Sequence, residues 1–128
     1  MTIAIVLDPF PSDEALRELW LSTWGDAGPA SWQGILARSL VHVGAYDGAS
    51  LVGYVNVAWD GGVHAFLLDT CVHADFQRQG IATRLVKAAA EAARARGVQW
   101  LHVDFEPHLM GFYRGCGFRP TEAGLIGL

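Results

Sequence analysis

The residues from Ala74 to Thr83 stand where the chain passes from an apolar run into a long amphipathic pattern. The first N–H groups of a helix lack intrahelical partners, and the helix dipole places positive partial charge beside them. Gly80 would let a ligand come close to the backbone, because glycine has no Cβ atom. This strand–turn–helix connection therefore predicts a binding site for a phosphate or pyrophosphate group.

The spacing of this turn excludes two common phosphate loops. It is neither the G-x-x-x-x-G-K-[ST] loop of nucleoside triphosphate-binding proteins nor the G-x-G-x-x-G fingerprint of dinucleotide-binding folds. The turn instead reads Gln77-Arg78-Gln79-Gly80-Ile81-Ala82, which has the pattern [QR]-x-x-G-x-[GA].

Three segments together resemble the GNAT superfamily of N-acetyltransferases. The turn at 77–82 is similar to the loop whose amides hold the pyrophosphate of acetyl-coenzyme A in that family. The segment at 71–76, CVHADF, precedes it as the strand of the family does. Downstream, the segment at 111–118, GFYRGCGF, resembles the family's [FLY]-Y-x-x-x-G-F segment. The resemblance covers nearly the whole chain and implies that acetyl-CoA is the co-substrate.

The resemblance also implies which residues contact that co-substrate. The amides of the turn would hold the pyrophosphate, and the end of the preceding strand would contact the pantetheine arm. The implied cofactor-binding residues are Cys71, Val72, His73, Gln77, Arg78, Gln79, Gly80, Ile81, Ala82 and Thr83. Many family members carry an asparagine after the next strand for the same arm, whereas Pro107 and His108 stand there in this chain.

Acetyl transfer to an amine requires a polarised thioester carbonyl, a neutral amine and a proton for the departing thiolate. The resemblance implies that a backbone N–H at the strand end near residues 71–73 polarises the carbonyl. Tyr113 occupies the tyrosine position of the family, and a phenol with the ordinary pKa near 10 is protonated at neutral pH. We therefore expect Tyr113 to be the proton donor.

Two carboxylates are candidates for handling the acceptor amine. Asp69 stands in an otherwise apolar run, where a carboxylate needs a partner or a function. It resembles an acidic residue of some family members, including glucosamine-phosphate acetyltransferases. Glu106 follows the next predicted strand. Asp69 could instead accept hydrogen bonds from loop amides, and ordered water could replace a single base.

The hydrophobic periodicity and turn residues predict the order β-α-α-β-β-β-α-β-α-β, an α/β mixed sheet. This order is that of the GNAT-like acyl-CoA N-acyltransferase fold, in which a central strand pair is splayed. The predicted strands lie at 2–7, 40–46, 50–59, 63–72, 98–105 and from about 118 to the C-terminus. The predicted helices begin at the Ser12 cap and at about residues 30, 79 and 108, and end near residues 24, 39, 96 and 115. The 98–105 run is expected to be covered on both faces.

Composition limits the remaining possibilities. A chain of 128 residues, with 52% hydrophobic and 17% charged residues, fits one globular domain over 1–128. No apolar run approaches the ~18 residues of a membrane span, and the N-terminus does not resemble a signal peptide. Cys71 and Cys116 show no disulfide framework, which favours reduced thiols in a cytoplasmic protein. The five histidines lack metal-ligand spacing.

The sequence thus favours an N-acetyltransferase that transfers acetyl directly from acetyl-CoA to a small-molecule primary amine. The alternatives are a protein or peptide acetyltransferase and a catalytically silent acetyl-CoA-binding module. The net charge of −4 argues against nucleic acid and is compatible with a cationic amine. The family resemblance makes a homodimer possible. Trp24 and Trp32 flank the link between the first two helices, where an aromatic wall for the acceptor is possible, although packing in the core is the favoured explanation.

Overall fold

The computed structural model describes residues 2–128 and contains one five-stranded sheet with helices on both faces. The strands are β1 (Ile3–Leu7), β2 (Val41–Asp47), β3 (Ser50–Trp59), β4 (His64–Val72) and β5 (Trp100–His102). The helices are α1 (Asp13–Trp24), α2 (Gln33–Arg38), α3 (Ile81–Ala95) and α4 (Met110–Gly115), and two 3₁₀ turns span Ala74–Phe76 and Pro107–Leu109. Within residues 2–128, no helix has the length and apolar character that crossing a membrane requires.

The sheet order is β1-β2-β3-β4-β5, with antiparallel neighbours except for the parallel pair β4 and β5. That parallel pair is short, since its register ends at Phe66 opposite His102 while β4 continues to Val72. The two strands therefore separate towards their carboxyl ends. The structure confirms the splayed pair that the sequence predicted.

A β-bulge lies in β4 beside the opening of the splay. In the β3–β4 register Tyr54 faces Cys71 and Asn56 faces Leu68, so two residues of β4 oppose only Val55. The first of the two, Asp69, has a left-handed backbone with φ 61°. A bulge of this kind bends the strand and redirects its side chains.

One face of the sheet is covered by α3. Its buried residues (Ile81, Leu85, Val86, Ala89, Ala92 and Ala93) form one continuous stripe, as the sequence predicted. The alanines let the helix lie close to the sheet. At Gly53 of β3 a Cβ atom would lie only 2.9 Å from Leu85 Cδ1, so glycine is required for this approach.

The other face is covered by α1 and α2, but only over part of its width. Leu16, Leu19 and Leu36 pack with Trp32 against Tyr54 of β3. The hydroxyl of Ser12 caps α1 by accepting a hydrogen bond from the Ala15 N–H at 3.1 Å, as expected. Helix α2 is shorter than the predicted 30–39 segment.

The start of α2 is delayed because its preceding residues are held by α1. The carboxylate of Asp13 accepts hydrogen bonds from the Trp32 N–H at 2.9 Å and from Gln33 Nε2 at 3.0 Å. These bonds tie Trp32 and Gln33, where α2 begins, to the first residue of α1. A tertiary contact therefore sets this boundary.

The end of α3 is fastened to the first two strands. The Arg96 guanidinium donates to Asp8 Oδ2 at 2.9 Å and to the Leu40 carbonyl at 2.6 Å. Asp8 Oδ1 in turn accepts from the N–H of His42, a residue that is buried in β2. The C-terminal end of the helix is thus held by charge-assisted hydrogen bonds.

The prediction of a strand at 98–105 covered on both faces was wrong. β5 contains three residues at the edge of the sheet, and 53% of Trp100 is exposed. Its near-continuous apolar composition hid an alternation: Leu101, Val103 and Phe105 pack against the core, whereas Trp100, His102 and Asp104 are exposed. Such alternation is typical of a strand with one open face.

The predicted final strand was also wrong, because the described residues from 118 onward form no strand. Phe118 packs against the core, but the residues after it are exposed, including Leu125 and Ile126. Pro120 cannot donate a ladder hydrogen bond, and Gly124 and Gly127 interrupt the apolar residues. We refer to residues 119–128 as the C-terminal segment.

Candidate active site

The turn before α3 has the geometry that an anion-binding loop requires. Arg78 and Gly80 both adopt left-handed conformations, with φ of 62° and 77°. The first bond back along the helix runs from the Arg84 N–H to the Gly80 carbonyl at 3.2 Å. The amides of residues 81–83 precede that bond at the helix N-terminus, where partial positive charge accumulates.

A cavity of about 440 Å³ opens at this helix N-terminus. The predicted cofactor-binding residues that line it are Cys71, Val72, Gln77, Arg78, Gly80, Ile81, Ala82 and Thr83. The space above Gly80 is open, with no heavy atom within 4 Å of where a Cβ would stand. We call this the small cavity. It joins the anion-binding turn to the strand end beside the splay.

Two predicted cofactor-binding residues, His73 and Gln79, do not line the small cavity. The His73 N–H donates to the Val52 carbonyl at 2.8 Å, so this amide belongs to the sheet. The His73 side chain accepts a hydrogen bond from the Asp75 N–H at 3.1 Å and caps the first 3₁₀ turn. Its local role is structural.

Four residues that were not among the predicted cofactor-binding residues also line the small cavity: Thr23, Thr70, Phe76 and Phe112. They come from α1, the bulge, the 3₁₀ turn and α4. Phe76 and Phe112 each stand in a segment that carried the family resemblance, at 71–76 and at 111–118. The others reach the cavity through the tertiary fold.

Tyr113 lies beside Thr70, which lines the small cavity, although Tyr113 itself does not line it. It is 7% exposed, and its ring stacks on Phe105 with centroids 4.6 Å apart. Burial raises the pKa of the Tyr113 phenol; a hydrogen bond with the Thr70 side chain opposes that rise, while Cys116 and Asp104 add to it. The phenol therefore stays protonated at neutral pH.

Tyr113 lines a larger cavity of about 720 Å³. It is lined by the exposed side of β4 and β5, by α4 and by residues of the C-terminal segment. Asp104 lines it, whereas the predicted catalytic residues Asp69 and Glu106 line neither cavity. We call this the large cavity.

Asp69 lies in the bulge of β4 with its side chain accessible to solvent. The surrounding protein nevertheless desolvates the carboxylate and raises the pKa of Asp69. A left-handed backbone at a residue other than glycine is strained, and such strain is concentrated at functional sites. The position of Asp69 beside the splay suits proton transfer or amine recognition.

Glu106 caps the second 3₁₀ turn through its backbone and is exposed. Its side chain makes no capping hydrogen bond. Glu106 directly follows Phe105, which stacks on Tyr113, but it lines neither cavity.

The buried thiol of Cys71 is unsuited to act as a nucleophile. Burial and then the Asp69 carboxylate raise its pKa to about 12. Burial also raises the pKa of Cys116, although Lys87 partly offsets that rise. Both thiols are free, and both are protonated at neutral pH.

The histidines include one pair that the sequence did not reveal. His64 Nδ1 and His102 Nε2 are 2.9 Å apart, and the His102 ring stacks on Phe66 with centroids 4.8 Å apart. These residues are 38 positions apart and meet only because β4 and β5 are parallel neighbours. Among residues 2–128 no group of three or more possible ligands is placed to hold a metal ion.

The two tryptophans considered for an aromatic wall have different surroundings. Trp32 is 1% exposed and belongs to the core beneath α1 and α2. Trp24 is 44% exposed at the end of α1, so it is accessible to a ligand.

Comparisons with known proteins agree with this architecture. Residues 9–118 match the Acetyltransferase (GNAT) family. A GNAT family acetyltransferase from Streptococcus pneumoniae superposes with a TM-score of 0.81 at 27% identity, over 99% of this chain and 98% of that one. An aminoglycoside N-acetyltransferase solved in complex with CoA shares the fold, with a TM-score of 0.77 at 20% identity over 99% of this chain and 94% of that one.

Among curated proteins, an uncharacterized N-acetyltransferase, ycf52, of Pyropia yezoensis is 26% identical over 80 residues, which is 62% of this chain and 46% of that protein. The chain spans less than half the length of the first such relatives it matches. The family match nevertheless covers most of the chain and includes the turn before α3 and Tyr113. The chain therefore belongs to the GNAT family of acetyltransferases, whose co-substrate is acetyl-CoA.

Proposed function

We propose that residues 1–128 form one catalytic domain that transfers an acetyl group from acetyl-CoA directly to a primary amine of a small molecule. The observation that carries this proposal is the small cavity, which runs from the open amides of α3 to Thr70 beside the Tyr113 phenol. The small cavity thus contains the predicted anion site and a neighbour of the predicted proton donor, which supports the proposal.

The residues fit acetyl-CoA on chemical grounds. The amides of residues 81–83 and the side chain of Arg78 supply hydrogen-bond donors and positive charge for a pyrophosphate. The opening between β4 and β5 leaves strand groups without sheet partners, to which an extended amide-containing arm can bind. The bound co-substrate supplies the thioester that the amine attacks.

The protein's own groups then manage the proton and the charge. The Tyr113 phenol donates its proton as the C–S bond breaks, and burial keeps that phenol protonated. Asp69 and solvent water are the candidate acceptors for the proton that the amine releases. Direct transfer is favoured over an acyl-enzyme because the pKa of Cys71 is raised to about 12.

The experiment is calorimetric titration with acetyl-CoA and with free CoA, followed by thiol-release assays with a panel of amines. Micromolar binding and amine-dependent thiol release are expected. Binding of acetyl-CoA without thiol release in the presence of any small amine or lysine peptide would support the cofactor site but rule out the proposed acetyltransferase activity. Release on a lysine peptide alone would support the protein-acetyltransferase alternative instead.

A further inference from the structure

The large cavity contains an aromatic surface that the transfer of an acetyl group does not use. Phe66 is 42% exposed and Trp100 is 53% exposed, and both line the cavity together with the His64–His102 pair. Large apolar side chains that are exposed side by side indicate a binding surface. We call Phe66, Trp100 and His102 the aromatic surface.

The aromatic surface continues towards the reaction centre. Trp100, His102 and Asp104 point to the same open side, since exposed and half-buried residues alternate from Trp100 to Phe105. An extended chain advances about 3.3 Å per residue, so Asp104 lies roughly 7 Å beyond His102. Asp104 and Tyr113 line the same cavity.

The charges in the large cavity match a single ammonium group. Its ionised side chains, histidines aside, are Asp104, Glu122, Arg114 and Arg119, two of each sign. Arg119 covers the Trp100 ring with its guanidinium carbon 5.8 Å from the centroid. An acceptor with many positive charges would meet these arginines, whereas one ammonium can be held by Asp104.

We propose that the acceptor is an arylalkylamine, whose ring rests on the aromatic surface while its amine is guided to Tyr113 by Asp104. This inference rests on the proposed function and names the substrate class of the same site. A planar ring and a side chain of two or three carbons fit the spacing between His102 and Asp104. Aromatic pairs prefer offset-stacked or edge-to-face contacts, and the parts of Phe66 and Trp100 that His102 and Arg119 leave exposed are open to such contacts.

The test compares 2-phenylethylamine with 2-cyclohexylethylamine, which has the same chain and a ring of similar size without π electrons. Thiol release is measured at saturating acetyl-CoA, with spermidine and butylamine in parallel. We expect kcat/KM for the aromatic amine to exceed that for the cyclohexyl amine by about 3- to 10-fold, the usual worth of an aromatic pair. Spermidine should be the poorer substrate.

Substitutions in the large cavity test which residues cause the preference for the aromatic amine. Trp100→Leu and Phe66→Leu should each bring the ratio of kcat/KM for the aromatic amine to that for the cyclohexyl amine towards one. Trp59→Leu is the matched control, because Trp59 is 40% exposed but lies outside the large cavity. Asp104→Asn should raise KM for the amine and leave the affinity for acetyl-CoA unchanged.

The outcomes separate this inference from the function on which it rests. Turnover of every amine with no aromatic preference, or with a preference for spermidine, overturns the inference and leaves the acetyltransferase. Binding of acetyl-CoA without turnover of any amine overturns both. A sedimentation measurement that shows a dimer which Trp100→Leu dissociates would assign the aromatic surface to a second copy of the chain and overturn the inference.

Discussion

The two cavities that meet at α4 are built in different ways. Most of the small cavity comes from one stretch of the chain, residues 70–72, 76–78 and 80–83, with Thr23 added from α1 and Phe112 from α4. The large cavity collects residues from β4, β5, α4 and the C-terminal segment, and Tyr113 contributes to it. One helix turn thus separates a locally encoded site from a site that only the folded chain assembles.

This difference explains what each cavity can specify. Backbone amides at a helix end recognise a phosphate by geometry and need few particular side chains. The large cavity presents aromatic rings, histidines and balanced charges, which discriminate between acceptors by their shape and charge. Variants in one cavity should therefore change the binding of one substrate and leave the other unaffected.

The largest expected effect belongs to the small cavity. Gly80→Glu introduces a side chain and a negative charge at the open helix N-terminus, where φ is 77°. We expect the affinity for acetyl-CoA to fall on the order of 100-fold, which corresponds to about 2.7 kcal/mol. Calorimetry would measure this loss.

Gly97→Glu is the matched control for Gly80→Glu. Gly97 follows the other end of α3, with φ 94° and open space around its Cβ position. Its variant should lose comparable stability through backbone strain but retain acetyl-CoA affinity. Equal loss of affinity in both variants would show that strain, rather than the anion site, controls binding.

The next largest effect is expected on turnover when Tyr113 is substituted. Tyr113→Phe removes the proton donor and keeps the stacking on Phe105, so turnover should fall by about 100-fold, within the usual range for general acid catalysis. The dissociation constant for acetyl-CoA should not change. Stopped-assay kinetics together with calorimetry would separate the two quantities.

Tyr46→Phe serves as the control for that experiment, since Tyr46 lies in β2 and lines neither cavity. It should leave turnover unchanged. Full turnover in Tyr113→Phe would show that this phenol does not donate the proton and that Tyr113 has a structural role only.

A smaller effect is expected at Asp69, the carboxylate in the bulge. The experiment distinguishes its role from that of Glu106. Because desolvation raises the pKa of Asp69, ionising it costs the folded state stability as pH rises above the ordinary value near 3.8. Asp69→Asn should therefore melt at a higher temperature than the natural protein at pH 7. That advantage should disappear near pH 3.

Glu106→Gln gives the comparison, because its carboxylate is exposed and outside both cavities. It should change neither the melting temperature nor turnover. If Asp69→Asn retains full turnover, water rather than Asp69 accepts the amine proton. Thermal unfolding at the two pH values and thiol-release kinetics provide these measurements.

The smallest effect is the expected change of turnover at alkaline pH. The pKa of Tyr113 is raised, so the protonated donor is fully present below the ordinary value of 10 and is lost only as pH rises through the raised value. We expect turnover at saturating amine to show no decline between pH 8 and 10. A decline centred below pH 10 would mean that another group donates the proton.

The elements that the sequence predicted well are those specified by neighbouring residues. The stripe of α3, the hairpin between β2 and β3, and the glycine turn before α3 depend on local periodicity and turn chemistry. The same locality explains why most of the small cavity was predictable. Eight of the ten residues expected to bind the cofactor line it.

The elements that the sequence predicted poorly depend on distant partners. Trp100 and His102 contribute to an apolar-looking run, yet no helix covers their side of β5. The His64–His102 contact, the hydrogen bonds from Asp13 at the start of α2, and the lack of a strand in the C-terminal segment likewise depend on residues that are distant in sequence. Hydrophobic pattern alone cannot distinguish a buried apolar strand from an exposed aromatic one.

The fastening of α3 has a consequence for its exchange with solvent. Arg96 ties the C-terminal end to Asp8 and Leu40, whereas the amides of residues 81–83 precede the first intrahelical bond, beside the small cavity. Amide hydrogens in the first turn should therefore exchange with deuterium faster than those in the last turn. Acetyl-CoA should slow exchange selectively at residues 81–83, so that one helix reports cofactor occupancy at one end and the integrity of the fold at the other.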